Sequence, residues 1–406
     1  MTVHHVDLMD PKAFADGVPH GYFRELRRRP GLTLAADAEG YDFWYIVRHA
    51  DVVAVSRDTE VFSSSPSTMT SVRQTSSGLP IITFMDGREH TRLRKLTVKG
   101  FTPARMLAIE GPVREIVGSL LAEMSARDEF DLADDVALRL PLEVLAELIG
   151  IPHDERAEVV AAAAKTVNLG DPDYDKSTAE TGAAGFQYLM EYFTELAGRR
   201  AREPVDDLFS VLLATRVKDD RLAGHEVAMF ATTLMSAGSE TTYCSLTGGV
   251  LALLEHPGQL ERLRSDRGLV ETAVSEILRW VTPVTHFARN VLADTEVAGQ
   301  PIKSGERVVI WYTSANRDEA VFADADRFDV ARSPNPHVSF GGGGPHYCIG
   351  NGLAALEMRI FLEAVLDRLP DLELLGPPVR TQTNFMNSYK HMPVRFRSGD
   401  HRGVRP

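Results

Sequence analysis

Cys348 closes a run in which four glycines stand together, Phe340-Gly341-Gly342-Gly343-Gly344-Pro345-His346-Tyr347-Cys348-Ile349-Gly350. Consecutive glycines open backbone conformations closed to other residues and let a chain lie close to a flat ligand. Leu353, Leu356 and Ile360 follow at spacings of three and four, so Asn351 to Leu369 reads as an amphipathic helix with Cys348 just before its N-terminus. There the helix dipole and free N–H groups favour a thiolate, the form of cysteine that ligates a metal. An inert cysteine in a glycine turn and a phosphate cradle before a helix are the alternatives. No βαβ unit with an acid about 20 residues further on surrounds the run, which weakens the phosphate cradle. Thiolate ligation suits the spacing best.

Three further groups could carry chemistry. Ala237-Gly238-Ser239-Glu240-Thr241-Thr242 lies inside the apolar stretch Val227 to Leu254. A helix of about 30 residues would be about 45 Å long. An acid buried in such a helix is costly without water or partners, and Gly238 with the hydroxyls is expected to loosen the ladder and admit a water. Glu276 and Arg279, three residues apart, share a helix face and can pair, as can His90 and Arg94 one turn apart around a single acid group.

Helices must position most of these groups. Phe43 to Val47 reads as a strand and His49 to Ser56 as a helix; Ser63 to Leu79, rich in Ser, Thr, Pro and Gly, reads as a binding loop. Helical patterns run from His90 to about Trp280 with a break at Gly170 to Pro172. Strands return at Thr295 to Val297 and Arg307 to Tyr312, and Pro377 to Phe396 looks extended. The expectation is a mainly α fold with a small antiparallel β region. Arg27, Arg28 and Arg29 read as a solvated helix end. The 406 residues carry a formal charge of −13, which argues against a nucleic-acid partner. Two cysteines, Cys244 and Cys348, cannot build a disulfide framework and suit a reducing compartment. Cys244 reads as a small core residue. With no signal peptide expected at the N-terminus and no apolar run of about 20 residues, the expected location is cytoplasmic, without a membrane span.

From about Tyr41 to Phe396 these residues resemble the cytochrome P450 family. Its Gly-x-His-x-Cys-x-Gly ending is matched by Gly344, His346, Cys348 and Gly350. Phe340 stands eight residues before the cysteine where the family usually has seven, a four-glycine form similar to bacterial members that oxidise steroid side chains, terpenoids and branched lipids. The resemblance implies a single domain over 1–406 with the triangular-prism P450 fold and haem b between the long central helix and the cysteine-loop helix. It makes Cys348 the iron ligand and sets Phe340, Gly350 and Ala237 against the cofactor. His90, Arg94, Arg289 and His346 become the propionate ligands, although Gly87-Arg88 replaces the family's frequent Pro-Pro. Thr241 and Glu240 become the catalytic pair that delivers protons during oxygen activation. Glu276, Arg279 and Arg327 become a structural triad, Ala325 replacing a frequent proline.

The resemblance implies a monooxygenase that inserts one atom of O2 into a C–H bond or an alkene of a largely apolar small molecule. The expected pocket includes Thr233, Met235, Val284, Thr285, His286, Phe287, Phe385 and Met386. The chain is expected to hold no fused flavin or iron–sulfur domain, so electrons would come from a ferredoxin and an NAD(P)H-dependent ferredoxin reductase. Arg92, Lys95 and Lys99, on one helical stripe, are the expected docking cations. The alternatives are a peroxide-using or non-oxygenating haem-thiolate enzyme, which the Glu240-Thr241 pair disfavours, and a haem carrier or sensor.

Overall fold

The computed structural model describes residues 6–37, 39–70, 81–127, 129–167, 171 and 178–396. Its α-helices are α1 (His20–Arg28), α2 (His49–Arg57), α3 (Gly87–Thr97), α4 (Pro103–Ser125), α5 (Arg139–Ile149), α6 (Arg156–Ala164), α7 (Ala179–Arg202), α8 (Leu208–Ala214), α9 (Gly224–Glu255), α10 (Pro257–Ser265), α11 (Val270–Val281), α12 (Tyr312–Ala315) and α13 (Asn351–Val365). Local chemistry sets several of their starts. Thr102 caps α4 ahead of Pro103, and Thr178 with Thr181 forms a reciprocal cap on α7.

The main sheet runs β1 (Thr33–Ala36), β2 (Asp42–Ile46), β10 (Arg307–Trp311), β7 (His286–Val291), β3 (Phe62–Ser63) in spatial order. β2 and β10 are parallel, and the other pairs are antiparallel, so the region is mixed rather than purely antiparallel. Smaller sheets join β4 (Glu129–Asp131), β11 (Leu372–Leu374) and β14 (Pro393–Phe396), and make the hairpins β5 (Arg216–Val217) with β6 (Asp220–Arg221), β8 (Thr295–Val297) with β9 (Gln300–Ile302), and β12 (Val379–Arg380) with β13 (Tyr389–His391). The sequence break at 170–172 falls largely outside the described residues.

β10 is buried along its whole length because its two faces serve different cores. Val308 and Ile310 pack towards α2 with Val52 and Val55; Val309 and Trp311 pack towards the N-terminal residues Leu8, Phe14 and Phe23. Period-two alternation makes that division automatic. The largest core lies among the helices, with α9 through its middle. Arg27 departs from the solvated reading: it is buried and donates to Glu319 and to the carbonyls of Ser314 and Arg317.

The Glu276–Arg279 pair forms as expected, with both side chains fully buried. Its third member is Arg332, not Arg327. Arg332 Nε lies 3.1 Å from Glu276 Oε2, while Arg327 is exposed and contributes only its carbonyl, which accepts from Arg279 at 3.1 Å and from Arg332 at 2.8 Å. The segment after α12 turns so that Asp329 N donates to Glu276, which swings the Arg327 side chain outward and brings Arg332 under the carboxylate. Arg279 sends its remaining donors to the carbonyls of Asn316 and Ala325. A buried ion pair holds only when such extra hydrogen bonds offset desolvation, and here they do.

Candidate functional site

The glycine run lies flat on α2. Gly341, Gly343 and Gly344 have φ of +96°, +93° and +77°, and a Cβ on Gly342 would come within 2.6 Å of Ser56 Oγ. Conformation thus demands three of the glycines and close approach the fourth. The eight-residue spacing closes on itself, since Cys348 N donates to Phe340 O at 2.9 Å. The Phe340 ring packs against Tyr347 and His337.

Cys348 is accessible, yet protein surrounds it closely enough that burial pushes its thiol pKa up. The amides of Gly350 and Asn351, together with Arg94, pull the other way without prevailing. The expected thiolate is therefore not favoured by the protein alone, because desolvation outweighs the helix-end amides. A coordinated metal deprotonates such a thiol outright. Cys244 is fully buried, as expected, and burial holds its thiol well above its ordinary range.

α3 and the cysteine loop bring the expected acid-binding residues together. The rings of His90 and His346 lie 4.2 Å apart, and Arg94 donates to the Tyr347 carbonyl. Burial, followed by the charges of His346 and Arg94, lowers His90 to about 4, so it offers an N–H rather than a positive charge near neutrality. Arg289 comes from β7, a strand absent from the sequence expectation. It faces Val308 across the sheet, on the α2 side, and donates to the Ala288 carbonyl.

α9 runs unbroken over 32 residues. Its accessible surface returns in the middle, from Thr233 to Thr241, and is greatest at Ala237. The expected loosening does not occur. Gly238 is a packing residue, where a Cβ would sit 3.2 Å from Leu145 of α5, and Thr241 Oγ1 donates back to the Ala237 carbonyl at 2.9 Å. Glu240 is half-buried beside it.

Half-buried Val284, Phe287 and Phe385 come together with Met386: Phe287 and Phe385 rings lie 5.6 Å apart, and Val284 bridges Met386. Met235 does not join them, being fully buried in the helical core about 200° around α9 from Thr233. His286 lies on the opposite face of β7 from Phe287 and meets that group only through the edge of Phe385, 5.7 Å away. It faces Trp311 across the sheet, with ring centroids 4.5 Å apart on the N-terminal side, where burial lowers its pKa to about 4. Thr285 is buried, and its hydroxyl donates to the Asn384 and Phe385 carbonyls.

Residues 172–374 match the family model described as Cytochrome P450. The steroid C26-monooxygenase of Mycolicibacterium smegmatis is 35% identical over 405 residues, covering 96% of this chain and 93% of that protein. The methyl-branched lipid omega-hydroxylase of Mycobacterium bovis is 36% identical over 410 residues, covering 96% and 93%. A Mycobacterium marinum cytochrome P450 solved in complex with pseudoionone superposes with a TM-score of 0.88 at 35% identity, covering 98% of this chain and 100% of that one. The chain belongs to the cytochrome P450 family.

This P450 is thus a haem b monooxygenase with the P450 fold. Its residues fit the cofactor: an accessible sulfur, a glycine loop without side chains, a small residue at the most accessible point of the middle of α9, and four nitrogen-bearing side chains for two acid groups. Among the described residues no helix is long and apolar enough to cross a membrane. The basic stripe is reduced, because Asp220 and Glu226 bind the Arg92 guanidinium at 2.8 and 2.5 Å and leave Lys95 and Lys99 exposed. Sequence reasoning missed Asp86 altogether. It accepts from Ser63 Oγ, Ser64 N, Ser65 N and His346 Nε2 at 2.7, 2.6, 3.1 and 2.8 Å. The one available signal was an acid immediately before the helix that carries His90.

Proposed function

We propose that this P450 oxygenates a C–H bond or alkene of a largely apolar steroid, terpenoid or branched lipid, using electrons from a ferredoxin served by an NAD(P)H-dependent reductase in the cytoplasm. The observation that carries this reading is the accessible middle of α9, where an acid and a hydroxyl stand side by side in an otherwise buried helix. Haem, held through the Cys348 thiolate, supplies the iron at which O2 is activated. His90, Arg94, Arg289 and His346 orient it through its acid groups, and Ala237, Phe340 and Gly350 give it room. Thr241 spends its proton on the Ala237 carbonyl, so its oxygen is oriented to accept a hydrogen bond from the reacting side. Glu240 relays protons from water. Val284, Phe287 and Phe385 supply apolar contact, and Thr233 one polar contact, for a substrate of the kind named for the relatives acting on steroids and methyl-branched lipids. Lys95 on α3 and Lys99 just beyond its end are the exposed cations left of the stripe for an acidic electron donor.

Thr241→Ala tests the proton role in a reconstituted system. Haem content should stay unchanged, while product formed per NAD(P)H consumed should fall about tenfold or more, the loss of one strong hydrogen bond. Hydrogen peroxide should account for the difference. An unchanged ratio would overturn the role of Thr241.

A further inference from the structure

Asp86 occupies the N-cap position of α3, yet its side chain makes no capping bond. An aspartate there normally accepts from the first turn of its helix, worth about 1 kcal/mol. Gly87, the first residue of α3, has φ of +63° and turns the chain there, and the carboxylate is used elsewhere. One oxygen gathers the Ser63 hydroxyl and the amides of Ser64 and Ser65; the other receives His346 Nε2. Burial alone would raise its pKa, but the hydrogen bonds from His346, Ser63 and Ser64 and the charge of His346 hold it down to about 2. Ser64 Oγ closes the loop, 3.1 Å from His346 Nε2.

Other elements fasten the rest of the same segment. Thr68 O accepts from Ala288 N at 2.7 Å, Ser65 O from Asn290 Nδ2 at 2.6 Å, and Met69 O from Arg307 Nη2 at 3.1 Å. Strands β7 and β10 thus hold residues 65–70, and β7 also pairs with Ser63; among the described residues Asp86, backed by the Ser64 hydroxyl, connects 63–65 to the cysteine loop. The imidazole that it fixes stacks 4.2 Å from His90, which α3 carries one turn after Asp86.

We propose that Asp86 is a positioning residue: one carboxylate couples the order of residues 63–65 to the orientation of His346, and so to the grip on the haem acid groups. Loss of order in this segment loosens the cofactor, and loss of Asp86 loosens both together. The coupling rests on the assignment of His90, Arg94 and His346 to those acid groups, so the two ideas need separate arms.

The holoprotein of Asp86→Asn keeps shape and removes charge. Amide hydrogen exchange at Ser64 and Ser65 should accelerate about tenfold or more, and haem transfer to apomyoglobin should accelerate by a similar factor, as expected for charge-assisted hydrogen bonds. Asp86→Ser can cap α3 but is too short to bridge Ser63 and His346, so it should behave like the asparagine variant. Parent-like behaviour of the serine variant would reduce Asp86 to a cap and overturn the proposal. Faster exchange with unchanged haem transfer would overturn the coupling, as would no change in either. Should Asp86→Asn fail to load haem, Ser63→Ala carries the same test with one donor removed and both readouts moved less. Arg94→Ala is the control for the underlying assignment: it should speed haem transfer and leave Ser64 and Ser65 exchange at the parent rate. Unchanged transfer in that variant would refute the acid-group assignment, while Ser64 and Ser65 exchange in Asp86→Asn would still report on the clamp.

Discussion

Two regions of this P450 are built from charged side chains and treat them oppositely. Around Glu276 every charged group finds its partners within the chain and is sealed. The carboxylate receives Arg279, Arg332, Asn335 and the Asp329 amide, and Arg279 disposes of its other donors on carbonyls. Around Cys348 the balance is positive: Arg94, Arg289 and His346 meet carbonyls, a serine hydroxyl and, among the described residues, the single carboxylate of Asp86. Both regions put charge under protein, where an unpaired group is costly. The first offsets that cost from within the chain and serves the fold. The second sets its cations on carbonyls and a hydroxyl with little carboxylate, which is what their proposed role in holding a cofactor's acid groups requires.

The sharpest way to break this contrast is at Cys348. Cys348→Ser should abolish the red-shifted ferrous–carbonyl band of the holoprotein, whereas Cys244→Ser, in the helical core, should keep it. A band that survives the first change and vanishes with the second would reverse the assignment. Next comes the sealed network. Arg332→Ala leaves Glu276 under-paired and should cost about 3–5 kcal/mol in urea unfolding, while Arg327→Ala, exposed, should stay within about 0.5 kcal/mol. The opposite order would restore Arg327 to the triad.

The smallest effect is expected at Glu357 on α13, a buried acid that belongs to neither class. Its Oε2 has no hydrogen-bond partner among the described residues, and burial pushes its pKa from the ordinary 4.5 up to about 8. Between those values the folded protein keeps a proton that the unfolded chain has lost. Stability should therefore fall as pH rises through that window, by roughly 1 kcal/mol per pH unit from this group. Glu357→Gln should flatten that part of the profile when unfolding is measured at pH 5.5 and 7.5. Parallel profiles for variant and parent would show that Glu357 ionises freely in the folded state.

Patterns that depend on one element were legible in the sequence. The helix expected at 49–56 spans His49–Arg57, the strand at 295–297 matches, and the helix after the cysteine loop starts at Asn351. The cysteine loop itself was readable because four glycines and a cysteine are demanded locally. What depended on register was not readable. β7 hides as a strand because burial falls on both of its faces and breaks the alternation of apolar and polar residues. The side that His286 takes follows from the pleat opposite Trp311, and the side that Met235 takes follows from the rotation of α9. Arg332 displaces Arg327 through the path of an irregular segment, which no local pattern encodes. Asp86 escaped for a related reason, since its partners lie about 20 and 260 positions away, at separations that only the folded chain brings to zero.

The parallel pairing of β2 with β10 has a consequence for biosynthesis. Trp44 lies beside Val308 and Tyr45 beside Val309, so the first strands of the main sheet wait for nearly two-thirds of the chain before β10 exists to pair with β2. At ribosomal rates that delay is on the order of ten to fifty seconds. During it Phe43 and Tyr45 cannot be covered by Trp311, and the β1–β2 hairpin can pair only with itself. The helical core between α4 and α11 is synthesised within the same interval and needs neither end of the chain for most of its contacts. The nascent protein therefore emerges with its N-terminal strands as the exposed party, and holding them apart from other chains is the task its expression places on the cell.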